Sequence, residues 1–429
     1  MNRYAQMISE LKTPEVMKRL TYLYGQRGGM LVAQSARYSR LLKRHEELVG
    51  YEGPIAMVSA PGRTEIGGNH TDHNHGRVLA ASVNLDVIAV AAPCSGGRVR
   101  VQSKGYPMDV VELEELSVKP EERNRSAALV RGMAARFREK GFAVGGFDAY
   151  TTSDVLKGSG LSSSAAFEVL LGTILSHLYN GGTVSPVEVA KAAQFAENAY
   201  FGKPSGLMDQ MASSVGGIIT IDFADTEQPV IRQAAFDFAA SGHKLCIVDT
   251  GGNHADLTHE YAAVPAEMKA VANSLGVDFL RQTSLDALIP RIPELRRLHG
   301  DRAVLRAFHF LQDNDRVVRQ VAALEAGHFE EFKRLVIESG HSSFEYLQNV
   351  YTSSDVAFQG LSLALCLAQL LLDGRGAWRV HGGGFGGTTQ NFVPDDLLDS
   401  FRETMEGVFG KGSCHCLTIR PCGGICVEA

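Results

Sequence analysis

The stretch Lys157-Gly158-Ser159-Gly160-Leu161-Ser162-Ser163-Ser164-Ala165-Ala166 joins two glycines, three consecutive serines and two alanines. Glycines let the backbone approach an anion closely, serine hydroxyls add donors, and small alanines let a helix begin beside the ligand. Set between a strand and a helix, such a turn aims unpaired N–H groups at a phosphate. The same composition would also serve as an ordinary glycine-rich turn. It lacks the Gly-Lys-Ser/Thr ending of a Walker loop and the third glycine of a dinucleotide fingerprint, so a different nucleotide fold is required.

A second polar cluster lies early in the chain, at Asn69, His70 and Asp72, with His73 and His75 close behind. Side chains of this kind fixed on a short loop can meet each hydroxyl of a sugar and leave buried groups unpaired when an analogue binds. Clustered imidazoles beside a carboxylate would also suit a metal, and a solvated polar loop has the same composition. Cys414, Cys416, Cys422 and Cys426 surround His415 near the C-terminus, but C-x-C and C-x3-C spacings do not match a zinc knuckle. Residues 417–427 read instead as a strand, a Gly-Gly turn and an apolar end.

The elements that must position these clusters follow from periodicity. Residues 30–49 form a helix with a charged face, and short β-rich runs at 55–59, 78–92 and 98–103 follow the Gly53-Pro54 break. A helix at 126–140, a strand at 145–152 and the serine-rich turn opening an apolar helix at 162–178 complete a mixed α/β unit. A polar interval at 236–240 precedes a strand at 244–249, after which helical patterns dominate until Arg379. The expected division is therefore a helical extension over 1–53, one domain over 54–240 and a second over 241–429.

With 429 residues, 45% of them apolar, the chain can bury two sizeable cores. A net charge of −6 provides no basic field for a nucleic-acid backbone. No run approaches 18 apolar residues and the first dozen carry no apolar block, so the expectation is a cytoplasmic protein outside the membrane. Cys94, Cys246 and Cys366 each stand alone in apolar stretches, as reduced thiols do.

Residues 158–166 resemble the second signature of the GHMP kinases. Pro61-Gly62-Arg63-Thr64-Glu65-Ile66-Gly67-Gly68-Asn69-His70-Thr71-Asp72-His73-Asn74 resembles the galactokinase signature, and Gly382-Gly383-Gly384-Phe385-Gly386-Gly387 resembles the third GHMP signature. The order is the expected one, Gly206-Leu207-Met208-Asp209-Gln210 and residues 306–317 are also galactokinase-like, and the resemblance runs from about residue 60 to the end. It implies a two-domain fold, with an N-terminal domain like ribosomal protein S5 domain 2 and a ferredoxin-like C-terminal domain, and an active site in the cleft between them.

The implied activity is transfer of the γ-phosphoryl group of ATP to the anomeric hydroxyl of galactose. Asn69, His70, Thr71, Asp72, Gly206 and Tyr261 would bind the sugar, and Gly158, Ser159, Gly160, Leu161, Ser162, Ser163, Ser164 and Ser103 the nucleotide. Asp209 would face the attacking hydroxyl, with Arg63 steadying the transferred charge. An Asp209 carboxylate beside an arginine has a lowered pKa, so it acts either as base or as orienting group. Mg²⁺ would bridge the phosphates, held by Ser164 and Glu197.

Galactokinases usually carry Glu where this chain has Asn69. The departure opens two alternatives: a kinase for an amino-hexose or arabinose, or a non-catalytic regulator that binds galactose and ATP.

Overall fold

The computed structural model describes residues 2–25, 29–156, 160–252, 257–352, 356–385 and 387–428, with backbone only at 258. Gly158 and Ser159 of the expected phosphate loop, and Gly386 of the third glycine motif, lie outside the described residues.

Helices α1 (Arg3–Glu10), α2 (Pro14–Tyr24) and α3 (Met30–Val49) precede the strands β1 (Ala56–Gly67), β2 (Arg77–Pro93), β3 (Arg98–Ser103) and β4 (Met108–Glu112). Next come α4 (Ser126–Glu139), β5 (Phe147–Ser153), α5 (Ser163–Asn180), α6 (Pro186–Phe195), α7 (Met208–Val215), β6 (Ile218–Asp222) and β7 (Val230–Gln233). The later part of the chain adds β8 (His243–Asp249), α8 (Thr258–Ser274), α9 (Leu285–Leu288), α10 (Ile292–Glu325), α11 (Phe329–Ser342), α12 (Gly360–Leu372), β9 (Ala377–Val380), β10 (Thr388–Pro394), α13 (Leu398–Phe409), β11 (Cys414–Leu417) and β12 (Ile425–Glu428).

The strands form two sheets. The first runs β12-β1-β2-β5-β3-β4, with β6 paired onto the first part of β2 and β7 onto β6; the second runs β11-β8-β10-β9. Where the sequence suggests a strand, a Gly-Gly turn and an apolar end over 417–427, β11 ends at Leu417 and the apolar end is β12, which belongs to the other sheet, so the chain returns to the first sheet.

Both faces of the first sheet are covered, which explains the unbroken apolar run of β2. Val87, Ala89 and Ala91 pack into the core that holds residues of α4, α5 and α6. Their alternating neighbours Ile88, Val90 and Ala92 pack with Tyr4, Leu20, Tyr24, Tyr38 and Leu41 of the N-terminal helices. The extension is thus the lid of a sheet. Beneath it Asp86, fully buried, accepts from Arg37 (2.5 Å), Tyr24 (2.6 Å) and Ser59 (2.5 Å) and lies 3.2 Å from Arg420.

β1 is longer than the sequence suggests. It continues through Pro61, Gly62 and Arg63 to Gly67, so the first half of the galactokinase-like motif is strand, not loop. The register against β2 shifts between Pro61 and Arg63. Proline donates no ladder hydrogen bond, and an irregularity at that position lets the strand continue past it.

Candidate active site

Three segments distant in sequence meet at Arg63. Its backbone N–H donates to the carbonyl of Leu161 (3.0 Å), and its Nη1 donates to the carbonyl of Gly160. Its Nε and Nη2 both lie 2.7 Å from Oδ1 of Asp209, whose Oδ2 accepts from the Ser162 hydroxyl. Asp209 occupies the first turn of α7, where the helix dipole favours an anion. Burial works against its charge, but Arg63, Ser162 and Lys203 together hold the carboxyl below the usual range.

Gly160 and Ser162 adopt left-handed backbone, at φ 71° and 55°, immediately before α5 begins at Ser163. A side chain at 160 would meet the ring of His381 at 3.1 Å, so the end of β9 stands directly against the turn. His381 Nε2 in turn is 3.0 Å from Thr64 Oγ1 and its Nδ1 3.0 Å from Thr388 Oγ1. The third glycine motif therefore packs on the phosphate turn through a histidine that the sequence reading did not single out.

Ser164 Oγ lies 3.3 Å from Oε1 of Glu197. Glu197 sits in a π-helical turn, Ala196–Phe201, closed by Gly202 N–H donating to its own carbonyl at 2.9 Å. Such insertions turn a side chain out of helical register, and here the carboxylate is buried (2% exposed) and faces α5. Lys203 Nζ stands 2.9 Å from the same oxygen, and Gln210 donates to Oε2 at 2.9 Å and to Oε2 of Glu168 at 3.1 Å. Burial and the charge of Glu197 push Glu168 well above the usual carboxyl range. Ser164 and Glu197 offer two hard oxygens side by side, a set that suits Mg²⁺ with phosphate and water completing its sphere.

Of the other expected residues, Asp72 and Gly206 face each other, and His70 and Tyr261 both bond to the third glycine motif. Asp72 Oδ2 faces Gly206 so closely that a Cβ there would come within 2.5 Å. His70 Nε2 donates to the Gly383 carbonyl (3.0 Å), which leaves Nδ1 as an acceptor. Burial lowers the His70 pKa to about 4, with His73 adding to the effect. The Tyr261 hydroxyl donates to the Gly384 carbonyl at 2.7 Å, and its ring lies over Gly383, where a Cβ would come within 2.5 Å of it.

Ser103 accepts from Thr151 (3.0 Å) on β5, the strand that leads to the phosphate turn. Thr71 is fully buried and donates to the carbonyls of Gly68 and Arg77. Asn69 is also fully buried, with both ends of its amide bonded inside the protein.

Residues 128–217 match the family described as the GHMP kinases N terminal domain, and residues 43–93 match the galactokinase galactose-binding signature. A galactokinase of Streptomyces coelicolor is 33% identical over 86% of this chain and 92% of its own length. The chain belongs to the galactokinase family. A galactokinase of Glaesserella parasuis is 31% identical over 85% of this galactokinase-family chain and 92% of its own.

The crystal structure of Lactococcus lactis galactokinase complexed with galactose matches with a TM-score of 0.77 at 23% identity, covering 91% of this chain and 99% of that one. The mevalonate kinase of Methanococcus jannaschii matches with a TM-score of 0.62 at 14% identity, covering 86% and 99%. The two-sheet architecture is thus the GHMP kinase fold that the motifs implied.

The sequence reading missed Lys203, Glu168, Gln210, Glu65 and Asn349. Glu65 and Gln210 stood in quoted motifs; the others come from elements with no chemical pattern of their own. Among the described residues no helix is long and apolar enough to cross a membrane, and no group of three or more His, Cys, Asp and Glu could hold a metal ion.

Proposed function

We propose that this chain is an ATP-dependent sugar kinase that converts galactose to galactose 1-phosphate. The oxygen of the anomeric hydroxyl attacks the γ-phosphorus, the bond from that phosphorus to the β–γ bridging oxygen breaks, ADP leaves, and the hydroxyl proton is released to water. The observation that carries the reading is the junction of Arg63 and Ser162 on one carboxylate, Asp209, at the start of α5. It sets a group able to hold a hydroxyl beside a turn able to hold phosphate.

Asp209 orients the attacking oxygen, and its lowered pKa makes it a weak base. Positioning and electrostatics therefore carry most of the acceleration, with Arg63 neutralising charge on the transferred group. The proposed nucleotide site is Gly158 to Ser164 with Ser103, and the sugar side is His70, Asp72, Gly206 and Tyr261. Ser164 and Glu197 would hold Mg²⁺, which when bound neutralises the β- and γ-phosphate oxygens.

We read residues 54–240 and 241–429 as the two domains. Two sheets support the division, and β12 crosses back over it. ATP-dependent sugar phosphorylation fits the cytoplasm, where ATP is made available.

An ADP-release assay over a panel of hexoses, with and without Mg²⁺, tests the reading. Rapid, metal-dependent ADP release with galactose is expected. ADP release with none of the sugars, despite intact ATP binding, would refute it.

A further inference from the structure

Asn69 has no hydrogen-bonding capacity left for a ligand. Its Nδ2 donates to Glu65 Oε1 at 2.9 Å and to the Gly382 carbonyl at 2.7 Å, and its Oδ1 accepts from Asn349 at 2.8 Å and Ser343 at 3.2 Å. Its backbone N–H donates to Asp313 (3.0 Å), and its carbonyl lies 2.9 Å from His309 Nε2. Two donors, two acceptor lone pairs and both backbone groups are all satisfied, at 0% exposure.

The carboxylate absent from position 69 stands four residues earlier. Glu65 Oε1 is 3.0 Å from Nη2 of Arg379, a fully buried guanidinium that also donates to the Ile66 carbonyl at 2.6 Å. Gly67 and Gly68 allow residue 69 to fold back on residue 65. A Cβ at 67 would strike Gln320 at 2.0 Å, and one at 68 would meet the Arg77 carbonyl at 2.3 Å, with φ at +82°. A carboxylate in the Asn69 seat would face the Gly382 carbonyl and Glu65 with no proton to give either. Glu65 and Asn69 are therefore a matched pair, each requiring the other's chemistry.

The partners of this pair lie on the second half of the chain, in the β9–β10 region and in α10 and the segments after α11. Gly382 adjoins His381, which contacts the phosphate turn. We propose that Asn69 is a positioning residue rather than a sugar ligand: with Glu65 it locks the first motif onto the Gly382-Gly383 turn, and leaves sugar selection on this loop to His70 and Asp72. The kinetic part of the inference rests on the galactose-kinase reading; the lock does not.

The test compares Asn69→Asp, Glu65→Gln and the double variant Glu65→Gln/Asn69→Asp, by chemical unfolding and by turnover of galactose and each monodeoxygalactose that keeps the anomeric hydroxyl. Asn69→Asp should lower the unfolding midpoint. It should also reduce kcat/KM by about tenfold or more, by the same factor for every sugar, since a positioning loss is blind to which hydroxyl is present. The double variant, which exchanges carboxylate and amide between the two positions, should regain much of both.

A loss that vanishes for one deoxy sugar would show direct contact with that hydroxyl and overturn the proposal. An unchanged midpoint in Asn69→Asp, or a double variant no better than the single, would overturn it as well. If the unaltered protein binds ATP but does not turn over galactose, the kinase reading fails alone, and the three midpoints still decide whether the lock exists.

Discussion

Arg63 and Asp209, 146 residues apart, are joined by two contacts of 2.7 Å to a single carboxylate oxygen. The other oxygen takes the Ser162 hydroxyl, so neither carboxylate oxygen is without a donor. Asp209→Asn keeps the shape and removes the charge that faces Arg63. We expect kcat to fall by about 10³-fold or more while the ATP dissociation constant, read by calorimetry, changes little. Because Arg63 holds Asp209 below the usual carboxyl range, kcat of the unaltered protein should show no acid limb from this group above pH ~4. Near-full turnover in the variant would remove Asp209 from the chemistry.

Gly206 is close to Asp72 for a reason that can be measured. A methyl group at 206 would come within 2.5 Å of Asp72 Oδ2 and push that carboxylate from its place. Gly206→Ala should raise the KM for galactose by about tenfold, worth some 1.4 kcal/mol, and leave the KM for ATP near its starting value. Equal changes in both constants would mean that the substitution disturbs the whole centre.

Glu197 and Ser164 lie on different elements, and only the π-helical turn brings the carboxylate inward. In Glu197→Gln the Mg²⁺ concentration giving half-maximal turnover should rise by about tenfold or more, since a hard cation loses an anionic ligand. Binding of Mn²⁺ with ATP, followed by its paramagnetic effect on water relaxation, should weaken in parallel. An unshifted metal dependence would assign Glu197 to the Lys203 ion pair alone.

How much of this was readable from the residues differs from place to place. α3 and β3 follow the periodicity residue for residue, because one alternates charge with apolar stripe and the other sits between glycine turns. The turn before α5 was legible as a helix start because its glycines and serines interrupt the strand pattern just ahead of an apolar helical run. The course of β1 through Pro61 was not: proline in a strand reads as a break, and the register shift that accommodates it depends on the partner strand.

The lid role of the first fifty residues was equally hidden, since the sheet face it covers is formed by β1, β2 and β5. Asn69 is the sharpest case. As a motif position it reads as a ligand for a hydroxyl, and only the three-dimensional neighbours, Glu65, Asn349 and Gly382, reveal that its amide is already satisfied.

Two groups of the first motif respond to pH in opposite directions. His70 is held near 4 by burial, below the ~6.5 of a free imidazole. Between those values the unfolded chain binds a proton that the folded one refuses, so stability falls as pH drops from about 6.5 to about 4, by up to about 3 kcal/mol. Burial raises Glu65 to about 7 against the pull of Arg379 and Arg63, so the folded state holds an extra proton and loses stability as pH rises from about 4.5 to about 7. NMR titration of the imidazoles separates them: His70 should remain neutral at pH 5. A His70 midpoint near 6.5 would mean that the ring is solvated and that its contact with Gly383 is not kept.

The buried cluster at Asp86 predicts what the N-terminal helices contribute. Arg37 on α3 reaches Asp86 at 2.5 Å and also donates to its backbone carbonyl at 3.0 Å, while Arg420, from the loop before β12, completes the charge balance. Burial opposes ionisation of Asp86, and the two guanidinium groups with Ser59 and Tyr24 overcome it. Arg37→Ala removes one cation and leaves a carboxylate at 0% exposure with a single positive partner. Breaking a buried pair from one side costs about 3–5 kcal/mol, and the remaining Arg420 places the expected loss near the lower figure. Urea unfolding should show a lower midpoint at unchanged slope. KM values for galactose and ATP should stay close to those of the unaltered protein, since none of the side chains bonded to Asp86 bonds to Asp209. A variant of full stability would mean that solvent reaches Asp86 and that the extension is not a sealed cover.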